Sequence, residues 1–202
     1  MKHTQSFWLI APYAAWMALM MCLPSVPWAY SVRTAVTLAL LAVSYSVFRK
    51  ISTPQFFIFH FSFFTSLLSG IVIGVAVLFI WIAPDRFEWY RKFCVIGDPY
   101  ANAKALPLDS AFTWIQLFGS ACVISVAEEL FFRKWLIRYA GFGWMVALFA
   151  IEHNRPVVAA ICGVLYGLLY LKKGLLAAIV AHATTNLALG LFVIQYNRWE
   201  FW

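Results

Sequence analysis

Ser125-Val126-Ala127-Glu128-Glu129-Leu130-Phe131-Phe132-Arg133 sets two adjacent carboxylates and an arginine into a run that is largely hydrophobic from Ala111 onward. An ionised carboxylate at the centre of a lipid-embedded helix costs about 2.5–3.5 kcal/mol by insertion scales, so such groups mark function until another role is found for them. On a helix, Glu129 and Arg133 are four apart and share a face, which predicts a charge-assisted pair. Glu128 is rotated by about 100° from Glu129 and lies off that face. One carboxylate therefore has a built-in counter-charge, and its neighbour is left over as a candidate general base.

The chain around this stretch has 202 residues, 64% of them hydrophobic and 11% charged. Several windows exceed the length that crosses a bilayer, and no alternation of apolar and polar positions suggests a barrel. The prediction is an all-α, polytopic helical membrane protein, one domain over 1–202, with about seven hydrophobic spans. The spans are read at Phe7–Leu23, Ser31–Phe48, Gln55–Ala83 (with an interfacial lead-in), Ala111–Tyr139, Phe142–Glu152, Val157–Leu171 and Leu175–Ile194. Pro12 is a candidate kink, and Ser66, Gly70 and Gly74 are spaced as a small-residue seam for close helix contact. His60 reads as an interfacial histidine and the aromatic tail Tyr196–Trp202 as an interfacial anchor. Pro84–Ser110 is the one long polar connection, with nearly balanced charges.

The net charge of +7 does not imply nucleic acid, because basic residues cluster beside the spans at Arg49-Lys50, Arg133-Lys134, Arg138 and Lys172-Lys173. By the positive-inside rule these ends, and the N-terminus, are cytoplasmic. Cys22, Cys94, Cys122 and Cys162 have no metal-site spacing and read as packing residues.

Other ionisable residues within the hydrophobic regions are Glu152, His153 and His182. Phe149 with His153, and His182 with Asn186, are four apart and share helical faces. Counting from span boundaries at Tyr139, Gly141 and Gly174, Glu128 lies roughly 16 Å deep, His153 about 18 Å and His182 about 12 Å. Half of a hydrocarbon core is about 15 Å, so three helices bring polar groups to one depth. A carboxylate, two histidines and an amide can activate water against a carbonyl, with Glu128 as general base, His153 holding the water, and His182 and Asn186 donating to the oxyanion. Glutamate and histidine can equally hold zinc, although these histidines lack a His-Glu-x-x-His spacing. Cys122 lies six residues before Glu128 and faces away from it. Asn186 is a poor zinc ligand and a good amide donor, so the expectation is a hydrolase without metal or other cofactor.

Glu128-Glu129-x-x-x-Arg133, Phe149-x-x-x-His153 and His182-x-x-x-Asn186 together resemble the three motifs of the CPBP intramembrane proteases, the superfamily of CAAX prenyl endopeptidases and bacteriocin-processing or self-immunity proteins. The match covers roughly residues 111–190. Phe7–Tyr13, Trp81–Pro84, Glu152 and Arg198–Trp202 further resemble the CAAX-protease-related proteins of bacterial exosortase systems. The resemblance implies a glutamate-type intramembrane endopeptidase in a bacterial inner membrane, with a cavity open to the membrane. Glu128, His153, His182 and Asn186 take the catalytic positions in that family, with Glu129, Arg133 and Phe149 supporting them. It implies as partners membrane lipid, a peptide or membrane-protein substrate and exosortase-system components. The other function considered is a non-enzymatic membrane partner or immunity factor of an exosortase or bacteriocin-type system. A transporter is disfavoured because no inverted repeat is visible.

Overall fold

The computed structural model describes residues 2–51, 61–97, 106–107 and 110–201. His60, much of the lead-in before the third span, and residues 98–105 of the polar connection fall outside the described residues. The rest is helical, without strands among the described residues. In chain order the helices are α1 (Lys2–Cys22), α2 (Pro27–Ile51), α3 (Phe61–Ile82), α4 (Glu88–Cys94), α5 (Ala111–Ala140), α6 (Phe142–Ile151), α7 (Pro156–Lys173) and α8 (Leu175–Tyr196). Five of them, α2, α3, α5, α7 and α8, are long and apolar enough to cross a membrane, and α1 and α6 contribute shorter apolar stretches. The protein is thus a polytopic all-α membrane protein.

Between lipid and protein there is little hydrophobic driving force, so helices associate where small residues let backbones approach. The seam on α3 does this against α8. Ser66 Oγ donates to the Lys173 carbonyl, and a Cβ on Gly70 or Gly74 would lie 2.8 Å from the Ala177 carbonyl oxygen or 2.5 Å from that of Ala181. The two helices therefore run in parallel with their backbones nearly touching. Helices α6 and α7 form a hairpin, in which a Cβ on Gly163 would meet the Phe149 ring and one on Gly167 the Phe142 ring. Gly141 and Gly174, at φ of +89° and +87°, make the sharp turns that return the chain into the bundle after α5 and α7. The core between these elements is formed by Tyr13, Trp16, Val77, Phe132, Leu136, Met145, Phe149 and Tyr166.

Several expected boundaries move. Helix α2 starts at Pro27, inside what reads in sequence as a connection, because proline is well placed at a helix's first residue. Pro12 lies within one uninterrupted helix. The polar connection contains a 3₁₀ turn (Ala83–Arg86) and α4. Part of the aromatic tail turns inward. Trp199 and Phe201 are buried against Leu189 and Val193, in a 3₁₀ turn that folds back on α8 after Asn197 takes a left-handed conformation. Asp85 drives this fold-back by bonding Arg155 at 3.2 Å and Arg198 at 3.4 Å, while Arg155 also donates to the Glu200 carbonyl at 3.1 Å.

The α3–α8 seam leaves no room for a methyl group. Gly74→Ala is expected to destabilise the bundle by about 1–3 kcal/mol, the usual cost of overpacking. The midpoint of denaturant unfolding in detergent measures this, and an unchanged midpoint would show that the helices can separate cheaply.

Candidate active site

Helix α5 is not a regular α-helix. Two segments, Gly119–Ile124 and Glu129–Leu136, are wound as π-helix around the short α-helical turn Ser125–Glu128. Such wide turns leave carbonyls free for outside partners and recur at functional sites. Here the Ser120 carbonyl accepts from Asn186 Nδ2 of α8 at 2.9 Å.

The two glutamates divide as their spacing predicts. Glu129 is fully buried, and its Oε1 lies 3.1 Å from Arg133 Nη1. The same oxygen lies 2.9 Å from His182 Nδ1, so Glu129 clamps a histidine as well as an arginine. Arg133 is fully buried and stacks over the Phe149 ring, 4.3 Å from its centroid. The Phe149 carbonyl in turn accepts from His153 Nδ1 at 2.7 Å, which leaves Nε2 of that ring as an acceptor. Each sequence pair thus has a physical reason for its spacing of four. Glu129–Arg133 is an ion pair, and Phe149 presents its ring to the arginine and its carbonyl to the histidine.

Glu128 stands apart. Its Oε2 has no hydrogen-bond partner and lies 3.7 Å from His182 Nε2. Glu128, His153, His182 and Asn186 all line one cavity of about 440 Å³. Phe149 also lines it, whereas Glu129 and Arg133 sit behind the wall. His182 is held more tightly than the helical-face argument suggests. The Tyr166 ring stacks on it at 5.0 Å and 20°, and the Tyr166 hydroxyl donates to Thr185 Oγ1 at 2.7 Å. Thr185 donates onward to the Gly74 carbonyl at 2.8 Å, tying the site to the helix seam.

Sequence reading missed several wall residues. Tyr166, Thr185 and Ser120 carry no signal in an apolar helix that separates them from packing residues. Glu152 is different, being a carboxylate beside a histidine in hydrophobic surroundings, yet it received no role. Its side chain lines the cavity and accepts a hydrogen bond from the Tyr13 hydroxyl of α1. Cys122 is exposed away from the cavity, while Cys162 lines it.

For a divalent cation, the described residues offer Glu128, Glu152 and His153, whose ligand atoms lie within 4.8 Å of one another. His153 and His182 with one glutamate, the trio considered from sequence, is not the group brought together for such an ion. In the observed group His153 keeps only Nε2 for a ligand, since Nδ1 is committed to the Phe149 carbonyl.

The segment that carries this geometry has a family counterpart. Residues 110–188 match the Rce1-like family model, described as type II CAAX prenyl endopeptidase Rce1-like. This segment is thus similar to the Rce1-like family. The family is one of proteases, and the matched stretch holds Glu128, Glu129, Arg133, Phe149, His153, His182 and Asn186. No curated protein and no solved structure matches the chain. The Rce1-like segment begins at the N-cap of α5 and stops within α8, so Tyr13, Trp81 and Phe201, which complete or brace the cavity wall, lie outside it.

Removing the clamp separates structure from chemistry. Glu129→Gln strands the Arg133 charge in the core, and loss of one partner of a buried ion pair typically costs about 3–5 kcal/mol. A lowered thermal midpoint and lower yield of folded protein are the expected result. Wild-type stability would mean that the Phe149 and Tyr166 rings alone can hold the guanidinium.

Proposed function

We propose that the protein is an intramembrane endopeptidase that hydrolyses a peptide bond near the membrane with water activated by Glu128. The observation that carries the reading is the unpartnered Glu128 Oε2, facing a cavity shared with His153, His182 and Asn186 inside an Rce1-like segment. Glu128 takes a proton from water while His153 Nε2 accepts the water's other hydrogen, orienting the nucleophile toward the carbonyl carbon. The developing oxyanion meets the second N–H of Asn186, whose first is fixed on Ser120, and the His182 ring. Glu129, Arg133 and Phe149 act by keeping the two histidines in place. No step in this scheme uses a metal. The substrate in this reading is a peptide or membrane-protein segment that enters from the lipid-facing region. In this reading the N-terminus is cytoplasmic, which the basic helix ends support. The association with exosortase systems belongs to the same proposal and rests on the resemblance of the chain's two ends.

The test is cleavage of a panel of quenched-fluorescent membrane peptides by purified protein in detergent and in liposomes. Glu128→Gln is expected to abolish turnover while leaving the thermal midpoint unchanged. Asn186→Ala should lose about 10²–10³-fold in rate, the usual loss for one oxyanion donor. Equal cleavage by wild type and Glu128→Gln would end the glutamate mechanism. Failure of wild type to cleave any peptide would favour the binding-partner reading.

A further inference from the structure

Hydrolysis of an amide needs more than a base. The leaving nitrogen is a poor leaving group until it is protonated, and the scheme above names no donor for it. The cavity holds one more carboxyl group. Glu152 sits at the end of α6, one residue before His153, with its side chain largely buried. Its Oε2 accepts the Tyr13 hydroxyl, and its Oε1 has no hydrogen-bond partner. Its ligand oxygen lies within 4.8 Å of that of Glu128.

Two carboxylates this close, in surroundings with little water, do not both ionise, and one keeps a proton. Their neighbours decide which. Glu128 faces His182 Nε2 at 3.7 Å, and the adjacent Glu129 is already committed to Arg133. Among the described residues, no lysine or arginine is in ion-pair contact with Glu152. Its neighbours are the Tyr13 hydroxyl and the His153 ring, whose Nδ1 lies 3.7 Å away but is spent on the Phe149 carbonyl. The negative charge therefore belongs on Glu128. The proton belongs on Glu152 Oε1, while Oε2, as the carbonyl oxygen, takes the tyrosine hydrogen bond.

Resting on the endopeptidase reading, we infer that Glu152 is the general acid of the site, a second catalytic carboxyl group positioned by Tyr13 from the N-terminal helix. Glu128 removes a proton from water as the water oxygen bonds to the carbonyl carbon, giving a tetrahedral oxyanion. Glu152 then delivers its proton to the nitrogen as the C–N bond breaks and the oxyanion re-forms a carbonyl. The products are a carboxylic acid and an amine, with Glu128 protonated and Glu152 ionised. Transfer of the proton from Glu128 to Glu152 restores the starting state.

This division of labour predicts dependence on the leaving group. For whichever panel peptide the wild type cleaves, an isostere with an ester in place of the scissile amide needs no protonation of its leaving oxygen. Glu152→Gln should lose about 10²–10⁴-fold on the peptide, the range for a general acid, and less than ~10-fold on the ester. Glu128→Gln should lose both activities. Tyr13→Phe keeps the ring that stacks on Phe131 at 4.6 Å and removes only the hydroxyl. It should reproduce the same amide-selective loss in smaller degree, which a packing defect would not. Equal loss of amide and ester hydrolysis in Glu152→Gln, with normal folding, would overturn the assignment.

A second measurement needs no substrate. Infrared spectra of purified protein at neutral pH should contain a carboxylic-acid C=O band that disappears in Glu152→Gln and moves in Tyr13→Phe. A band lost in Glu128→Gln but kept in Glu152→Gln would place the proton on the wrong partner and refute the proposal. So would a stoichiometric divalent metal, lost from both variants, because the metal rather than a proton would then balance the pair. If no panel peptide is cleaved but the band behaves as stated, the endopeptidase reading fails while the protonated Glu152 stands.

Discussion

The site depends on one oxygen atom. Glu129 Oε1 meets both Arg133 and His182, at 3.1 Å and 2.9 Å, in a place from which water is excluded. Desolvating a guanidinium costs several kcal/mol, and that cost is offset only when geometry and surrounding partners are good. The partners here are a carboxylate along the helix and the faces of Phe149 and Tyr166, 4.3 Å and 5.5 Å from the guanidinium carbon. Those same rings contact the histidines, Phe149 through its carbonyl to His153 and Tyr166 by stacking on His182. The device that makes a buried charge tolerable is therefore the device that aims the polar groups. A change that loosens the ion pair also loosens both imidazoles, which is why stability and geometry cannot be tuned independently at these positions.

The irregular winding of α5 gives this arrangement its room. An α-helix spends each carbonyl on the N–H four residues on, leaving nothing for a neighbouring helix. By widening at Gly119–Ile124, α5 offers the Ser120 carbonyl to Asn186, so the amide of α8 is anchored to the helix that carries Glu128. The wide turn at Glu129–Leu136 carries the ion pair. Between them only the turn Ser125–Glu128 keeps α-helical winding, and it ends on the carboxylate that faces the cavity.

Much of this was legible in the sequence because lipid penalises polar groups so heavily that few are present. Glu128, His153 and His182 could be picked out by eye and counted to one depth, and together with Asn186 they line one cavity. The Glu129–Arg133 pair followed from a spacing of four, which survives the π-helical winding because the pair lies within a single wide turn. The attachment of His182 to Glu129 was not legible, since a spacing rule speaks only of contacts within one helix. Tyr166 and Thr185 were hidden for the opposite reason. In an apolar helix a tyrosine or threonine looks like packing, and only the fold shows that its hydroxyl is part of a chain ending on the Gly74 carbonyl. Part of the tail turns inward although Arg198-Trp199-Glu200-Phe201-Trp202 has the composition of an interface. What draws it inward is Asp85, more than a hundred residues earlier, with Arg155 and Arg198 arrayed around it and both guanidiniums over the Phe201 ring.

The division between the Rce1-like segment and the rest of the chain follows a physical line. Residues 110–188 hold Glu128, Glu129, Arg133, Glu152, His153 and His182, whose spacing hydrogen bonding restricts to a few tenths of an ångström. Met20, Trp81 and Phe201 come from outside that segment and line the cavity with apolar surface. Trp81 stands edge-on to the His153 ring at 5.6 Å, and Phe201 is fixed by two arginines that share Asp85. Contacts of this kind tolerate changes of size far better than a charged pair tolerates a change of distance, because dispersion is spread over many atoms. The polar cluster thus lies in the part of the chain where geometry is strict. The shape of the space around it is left to elements that can vary, and Tyr13 reaches across from those elements to bond Glu152.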